Sequence, residues 1–243
     1  MTQQVKSNAR RFIASYNAID AALRAQQNLK RSLTFSDVIR KSVICNSIVR
    51  RHEEDLIDYS RLRNAIIHGS DEEHPIAEPN DDIVEKIEKL EKLITTPPKV
   101  LETICRKDVL TIDYNTSLKD TIIEIFKSGY SNIPVYCGEE LVGIANGQKI
   151  INVLGDVLLR GINVDEFLTN TPIVEILKIT RFDNYFELVS KDLTIEKVLD
   201  MFNANRKLLV ILITERGTNT EPPLGVVTAS DIVDINNIMD NYV

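Results

Sequence analysis

From Ala9 to about Gln27, the apolar residues Phe12, Ile13, Tyr16, Ile19 and Leu23 recur at spacings of three and four, the period of an amphipathic helix. A second helical run opens near Thr34 or Ser36, either of which suits an N-cap, and carries Val38, Ile39, Val43, Ile44, Ile48 and Val49. The pattern is expected to break around His52 and to resume through Leu56, Ile57, Tyr59, Leu62, Ile66 and Ile67. Gly69 is placed to close that helix, and Ser70 to Pro75 reads as a polar loop. Asp81 and Asp82 then open a helix over Ile83, Val84, Ile87, Leu90, Leu93 and Ile94, with acids where the helix dipole favours them. Thr95-Thr96-Pro97-Pro98 stops it and reads as a linker. Residues 1–96 are therefore predicted to be an all-α domain.

Beyond the linker, short β-like runs alternate with helical ones, and the pattern occurs twice. Thr111-Ile112-Asp113, a helix after Leu118, Ile133-Pro134-Val135 and Leu141-Val142-Gly143-Ile144 make one copy. Leu188-Val189, a helix after Ile195, Leu208-Leu209-Val210-Ile211 and Leu224-Gly225-Val226-Val227 make the other. Leu118 and Ile195 lie 77 apart, while Gly143 and Gly225 lie 82 apart because the second copy has a longer turn, residues 215–223. Such a repeat implies two similar small α/β units, at 97–170 and 171–243, packed together. The fold class expected for the chain is α+β.

Composition changes this picture little. Apolar residues at 43% and charged residues at 27% are those of a globular protein with a core. No stretch approaches the roughly 18 apolar residues of a membrane span, and the N-terminus starts polar, without the apolar run expected of a secretory signal. Three widely spaced cysteines without a Cys-x-x-Cys pair argue against disulfide or zinc frameworks, and a cytoplasmic location is expected. Charge is more informative. Residues 1–69 hold twelve Lys/Arg against six Asp/Glu, and the remainder seventeen against thirty. That asymmetry points any polyanionic partner, such as RNA, to the N-terminal domain, unless it merely reflects solvated helix faces.

Gly225-Val226-Val227-Thr228-Ala229-Ser230-Asp231 is a Gly-h-x-Ser/Thr-x-x-Asp strand-to-helix motif, and with the repeat it resembles the CBS (cystathionine-β-synthase) family, the pair resembling a Bateman module. The resemblance implies a regulatory adenine nucleotide, ATP, ADP or AMP. Asp231 would accept hydrogen bonds from the ribose diol, a role that suits an acceptor-only carboxylate. Thr228 would bond ribose or phosphate at a helix start. Arg206 or Lys207, ahead of the central strand, would supply a cation for phosphates. The first copy departs from the motif: Asn146 and Lys149 stand where Ser/Thr and Asp are expected. A lysine has no lone pair for a diol, so one complete nucleotide site is expected rather than two. The alternative is a dimerisation scaffold in which Thr228 and Asp231 only cap a helix.

Arg61-Leu62-Arg63-Asn64-Ala65-Ile66-Ile67-His68 ends the long helical stretch, and with Arg11-Phe12-Ile13-x2-Tyr16-Asn17 it resembles HEPN-type ribonucleases, whose Arg and His cluster across a dimer and cleave RNA without metal. The resemblance implies His68 as general acid or base, Arg63 as stabiliser of phosphate charge and Asn64 as orienting group. Arg63 and His68, five apart, lie roughly 140° apart around one helix; a long Arg side chain and the helix end at Gly69 would close part of that gap, and a homodimer would gather them better. No His-x3-His pair, phosphate-binding Gly-x4-Gly-Lys loop or Gly-x-Ser-x-Gly elbow occurs, and no metal site is expected. Two functions remain: a nucleotide-gated, metal-independent endoribonuclease, or a non-enzymatic sensor whose helical domain dimerises or recruits a partner.

Overall fold

The computed structural model describes residues 7–68, 78–105, 107–179 and 185–242, with the side chains of His68 and Tyr242 outside the description. The predicted loop at 70–75 and the helix-closing role of Gly69 lie outside the described residues. The chain forms two compact units: residues 1–98 with 194–203 and 232–243, and residues 99–193 with 204–231. Two helices from the second repeat thus group with the N-terminal helices.

In the first unit, α1 (Asn8–Gln26), α2 (Phe35–Ser42), α3 (Ser47–Arg51), α4 (Glu53–His68) and α5 (Asp81–Thr95) follow the predicted period. Thr34, Asn46 and Asn80 cap α2, α3 and α5, each accepting a backbone N–H three residues on. The run from Thr34 breaks twice, at Val43–Asn46 as well as at His52. The extra break has a local cause. Ser42 Oγ donates to the Val38 carbonyl, and Asn46 starts a new helix by accepting from Val49 N–H. Ile44, counted on the buried face by periodicity, falls in that break and is 80% exposed. The core is built on Phe12, Ile19, Leu23, Ile39, Ile87 and Leu90, all fully buried, with Phe12 edge-on to Tyr59 at 5.7 Å. Arg11 forks onto Glu88 at 2.9 and 2.8 Å, which ties α1 to α5.

The second unit holds α6 (Val100–Thr103), β1 (Ile112–Asp113), α7 (Leu118–Ser128), β2 (Asn132–Cys137), β3 (Glu140–Asn146), α8 (Gly147–Leu159), α9 (Val164–Asn170) and α10 (Ile173–Ile179). β4 (Phe186–Ser190), β5 (Val210–Thr214) and β6 (Gly225–Thr228) complete it. The remaining helices, α11 (Ile195–Ala204) and α12 (Ile232–Tyr242), belong to the first unit. Both sheets have three strands with the same topology: β1 and β4 run parallel to β2 and β5, which pair antiparallel with β3 and β6. Leu118 and Ile195 are both the first residues of their helices, so the sequence repeat is a structural one. The chain is α+β, as its pattern implies.

The two sheets share a buried cluster of Tyr136, Leu141, Ile144, Tyr185, Val210 and Leu212. The long 215–223 turn is fastened to the first copy: Leu141 N–H donates to the Asn219 carbonyl at 2.7 Å and Asn219 Nδ2 to Glu140 Oε1 at 3.2 Å. The insertion that offsets the repeat spacing therefore joins the two copies.

Candidate functional site

The end of β6 starts a turn of 3₁₀ helix, Ala229–Asp231, immediately before α12. A strand that stops this way leaves the first N–H groups of the following turn without ladder partners, and an acid three residues on can reach back to them. Asp231 does so. Its Oδ2 accepts from Thr228 N–H at 2.7 Å and from Thr228 Oγ1 at 2.9 Å. Ser230 Oγ lies 2.7 Å from the same hydroxyl. Asp231 is 8% exposed, so the carboxylate is held in one orientation against buried surface. Among the described residues its hydrogen bonds fall on Oδ2, which leaves acceptor capacity on the other edge. The capping role expected as an alternative is present, and it orients the group that the binding role requires.

Thr228 and Asp231 border a cavity of about 310 Å³ within the second unit. Its lining comes from both copies. The second supplies Leu209, Val226 and the 228–231 turn; the first supplies Gly129 to Asn132 and Pro134, with Asp108 to Leu110 ahead of β1. The wall at 129–131 is firmly set. Gly129 closes α7 in the left-handed region at φ 70°, a conformation that disfavours a side chain, and Gly147 N–H donates to the Ser131 carbonyl at 2.9 Å. Near Val226, whose carbonyl accepts from Cys105 Sγ at 3.6 Å, burial pushes the Cys105 thiol up to about 11. That sulfur is a packing group rather than a nucleophile. Sequence reasoning missed the first-copy wall because a loop without a motif carries no local sign of where it folds.

The four sequence-derived ligand residues separate into two pairs. Thr228 and Asp231 line the cavity, whereas Arg206 and Lys207 sit exposed in the turn before β5 and Leu209 lines it instead. In the first copy the equivalent positions are filled differently. Asn146, 7% exposed, accepts from Lys149 N–H and donates to Asn132 Oδ1 at 2.7 Å. The Lys149 ammonium lies 3.4 Å from the centroid of the Tyr185 ring, a cation–π contact, while the Tyr185 hydroxyl donates to the Ile144 carbonyl.

Of the helical candidates, Arg63 and Asn64 are in contact. Arg63 is half-buried with its guanidinium 5.9 Å from the Tyr16 ring, and it donates to Asn64 Oδ1 at 3.3 Å. Asn64 is exposed, and Arg61 pairs with Asp58 at 2.7 Å. His68 ends α4, and its side chain lies outside the described residues. The basic surplus of residues 1–69 is also consumed by folding. Arg11, Arg50 and Arg51 pair with Glu88, Asp200 and Asp240, all from later in the chain. The first unit as a whole has sixteen Lys/Arg against nineteen Asp/Glu, a formal charge of −3. The first third is basic as sequence, but the unit it folds into is not. Among the described residues no group of three or more His, Cys, Asp or Glu could hold a metal, and no helix is long and apolar enough to cross a membrane.

With this geometry in place, comparison with known proteins places the first copy: residues 101–156 match the CBS domain family. The match covers the copy whose Ser/Thr-x-x-Asp motif is altered; the copy with the intact motif shares its strand order. Similar solved structures include the CBS domain of a bacterial CNNM/CorC family Mg²⁺ transporter in complex with ATP. It is 23% identical, over 62% of this chain and 94% of that chain, with a TM-score of 0.42. The CBS domain pair of MJ0100, in complex with 5′-methylthioadenosine and S-adenosyl-L-methionine, is 16% identical over 58% and 97%, with a TM-score of 0.41. CBSX2 in complex with AMP is 13% identical over 58% and 98%, with a TM-score of 0.40. No curated protein matches the chain.

Proposed function

We propose that the protein is a ligand-responsive regulator that holds an adenine nucleotide, ATP, ADP or AMP, in the cavity beside Thr228 and Asp231. The observation that carries this reading is the fixed Asp231 carboxylate, 8% exposed and bordering a cavity of about 310 Å³ lined by both repeats. Asp231 accepts from the vicinal ribose hydroxyls, Thr228 takes ribose or the first phosphate, and Pro134, Leu209 and Val226 supply apolar surface for the base. Two bonds already orient the carboxylate, so less ordering cost falls on binding. Residues 171–243 act as a second CBS motif, and Arg206 or Lys207 meets phosphates that leave the cavity. The helical domain is the output arm, forming a homodimer or recruiting a partner in the cytoplasm.

The test is isothermal titration of ATP, ADP and AMP into the wild type, Asp231→Asn and Asp231→Ala. Saturable binding to the wild type, lost in both variants while circular dichroism is unchanged, supports the site. Unchanged affinity in Asp231→Asn removes Asp231 from it.

The gated-endoribonuclease reading rests on the sequence run from Arg63 through Asn64 to His68 at the end of α4, and it requires a partner helix to supply the face that Arg63 does not share with His68. A single-stranded RNA pool in EDTA, with and without nucleotide, decides it. Cleavage that is lost in His68→Ala supports a HEPN-like enzyme with RNA as partner; intact RNA under all conditions leaves the helical domain a docking arm.

A further inference from the structure

We infer that the outer face of α7 and α8, in the first repeat, is a self-association surface against which a second copy of this chain packs its own α7 and α8. The corresponding face of the second repeat is taken up by α3 of the same chain, so the surface is one-sided and the assembly closes at two copies.

A helix that covers a sheet keeps its apolar stripe inward and shows water a polar back. α7 and α8 keep only the first half of that rule. Strand alternation sends Ile133, Val135 and Ala145 to one side of the first sheet, where Ile122 and Ile125 of α7 and Val153 and Leu154 of α8 pack against the cluster they form. Ile125 Cγ2 stands 4.0 Å from where a Cβ on Gly147 would be, so the start of α8 lies beside α7. Both helices therefore turn their backs the same way, and those backs are apolar. Phe126 is 86% exposed, Leu159 88% and Leu158 65%, with Ile123 and Ile151 exposed beside them. Ile123 and Phe126 are three apart on α7, while Ile151, Gly155 and Leu158 follow at four and three on α8, one stripe on each helix. Gly155 points to a helix as the partner. A glycine inside a helix is destabilising relative to alanine, and among the described residues nothing lies within 4 Å of where its Cβ would be. Close approach of another helix gives that glycine a purpose.

The second repeat shows the same positions when they are covered. In the register set by Leu118 and Ile195, Ile123 corresponds to Asp200 and Phe126 to Asn203; in that set by Lys149 and Asp231, Leu158 corresponds to Asp240. Asp200 pairs with Arg50 at 3.7 Å and Asp240 with Arg51 at 2.7 Å, both arginines from α3. A polar face suits the arginines of α3; its apolar equivalent suits a partner that brings no charge. An identical patch is such a partner. Lys127 pairs with Glu124 at 3.8 Å and Arg160 with Asp156 at 2.9 Å, so these charges beside the patch are neutralised within the chain. Two chains of formal charge −7 repel one another as wholes, and a neutral apolar face is where they can meet. A two-fold axis through it uses the same residues from both copies and leaves no open end.

The experiment is sedimentation velocity of the full chain over a concentration series, with helical content followed by circular dichroism. It compares the wild type, Phe126→Glu, Leu158→Glu and Gly155→Leu with two controls at exposed apolar residues elsewhere, Ile44→Glu and Val233→Glu. The wild type is expected to sediment as a dimer at micromolar concentration. Each glutamate on α7 or α8 places two like charges in the interface, one from each copy, and should raise the dimer Kd about tenfold or more at unchanged helical content. Gly155→Leu should raise it too, by holding the helices apart, and both controls should stay dimeric. A wild type that remains monomeric up to millimolar concentration overturns the proposal. So does a dimer that survives both glutamates, which places its interface elsewhere, the helical domain included. Loss of the dimer in Val233→Glu overturns the confinement to the first repeat, and assembly beyond two copies overturns the closed pair.

Discussion

Lys149 and Asp231 stand at the same place in their repeats, each three residues beyond the last residue of a hairpin strand, and they are put to opposite uses. Asp231 caps its own turn and borders a cavity; Lys149 lies over the Tyr185 ring. Sequence alone told them apart, because an ammonium has no lone pair to offer a diol. It could not say where the ammonium goes, since Tyr185 is 36 residues away and only folding brings it near. Arg63 makes the same point in reverse: its chemistry suits phosphate, but its guanidinium packs toward Tyr16. Gly217 is a residue whose identity the fold requires. It holds φ at +84°, and a Cβ there would come within 3.0 Å of Ser190 N and 3.1 Å of the Val189 carbonyl carbon. The turn is fixed by Thr214 Oγ1, which accepts from the N–H groups of Gly217 and Thr218. Gly217→Ala should therefore cost about 1–3 kcal/mol, read as a lower urea midpoint at unchanged slope. A midpoint equal to wild type would mean that the turn opens without penalty.

At the scale of elements, α11 begins where the repeat places it but packs with the N-terminal helices. Ser47 Oγ on α3 donates to the Glu196 carbonyl at 3.0 Å, and Arg50 pairs with Asp200 at 3.7 Å. Glu196 is 7% exposed; Thr194 Oγ1 donates to its Oε1 at 2.6 Å, while Oε2 has no partner among the described residues. Burial pushes the Glu196 carboxyl above its ordinary 4.5, and burial raises Asp200 as well. A raised value means that the folded state holds a proton which the unfolded chain releases. The associated stability is complete below the ordinary carboxylate range and is lost as pH rises through the raised value. Glu196→Gln keeps the acceptor for Thr194 and removes the charge. It should raise the melting temperature at neutral pH and flatten the decline as pH rises above the ordinary carboxylate range. Parallel wild-type and variant curves over that range would show that Glu196 is not the titrating group. Helix periodicity predicted α11; nothing in its spacing predicted which unit it would join.

Across the whole molecule, the repeats hold two equivalent positions, and on the proposed reading only the one with Asp231 takes a ligand. Lys149 at the first is turned onto Tyr185, so titration should give one nucleotide per chain. The ligand should also raise the melting temperature, with a stabilisation of about 2.7 kcal/mol at a hundredfold excess over the dissociation constant. The rise should vanish in Asp231→Ala and persist in Lys149→Ala; a measured stoichiometry of two would show that the first copy retains a site.

The sequence by itself determined the all-helical first part, the doubled α/β pattern, the α+β class and the pairing of Thr228 with Asp231. These are local or periodic properties: spacings of three and four, strand alternation, a Thr-x-x-Asp cap, a repeat offset by a longer turn. Tertiary structure alone decided the rest. It brought Asp108, Tyr130 and Leu209 to one cavity, put Arg206 and Lys207 outside its lining, and grouped α11 and α12 with α1 to α5. It also paired the early arginines with later acids, turning a basic first third into a unit of charge −3. The physical reason is common to all of these. Burial and charge neutralisation depend on which residues become neighbours in space, and pairs such as Arg11 with Glu88 or Arg51 with Asp240 are separated by most of a domain or most of the chain.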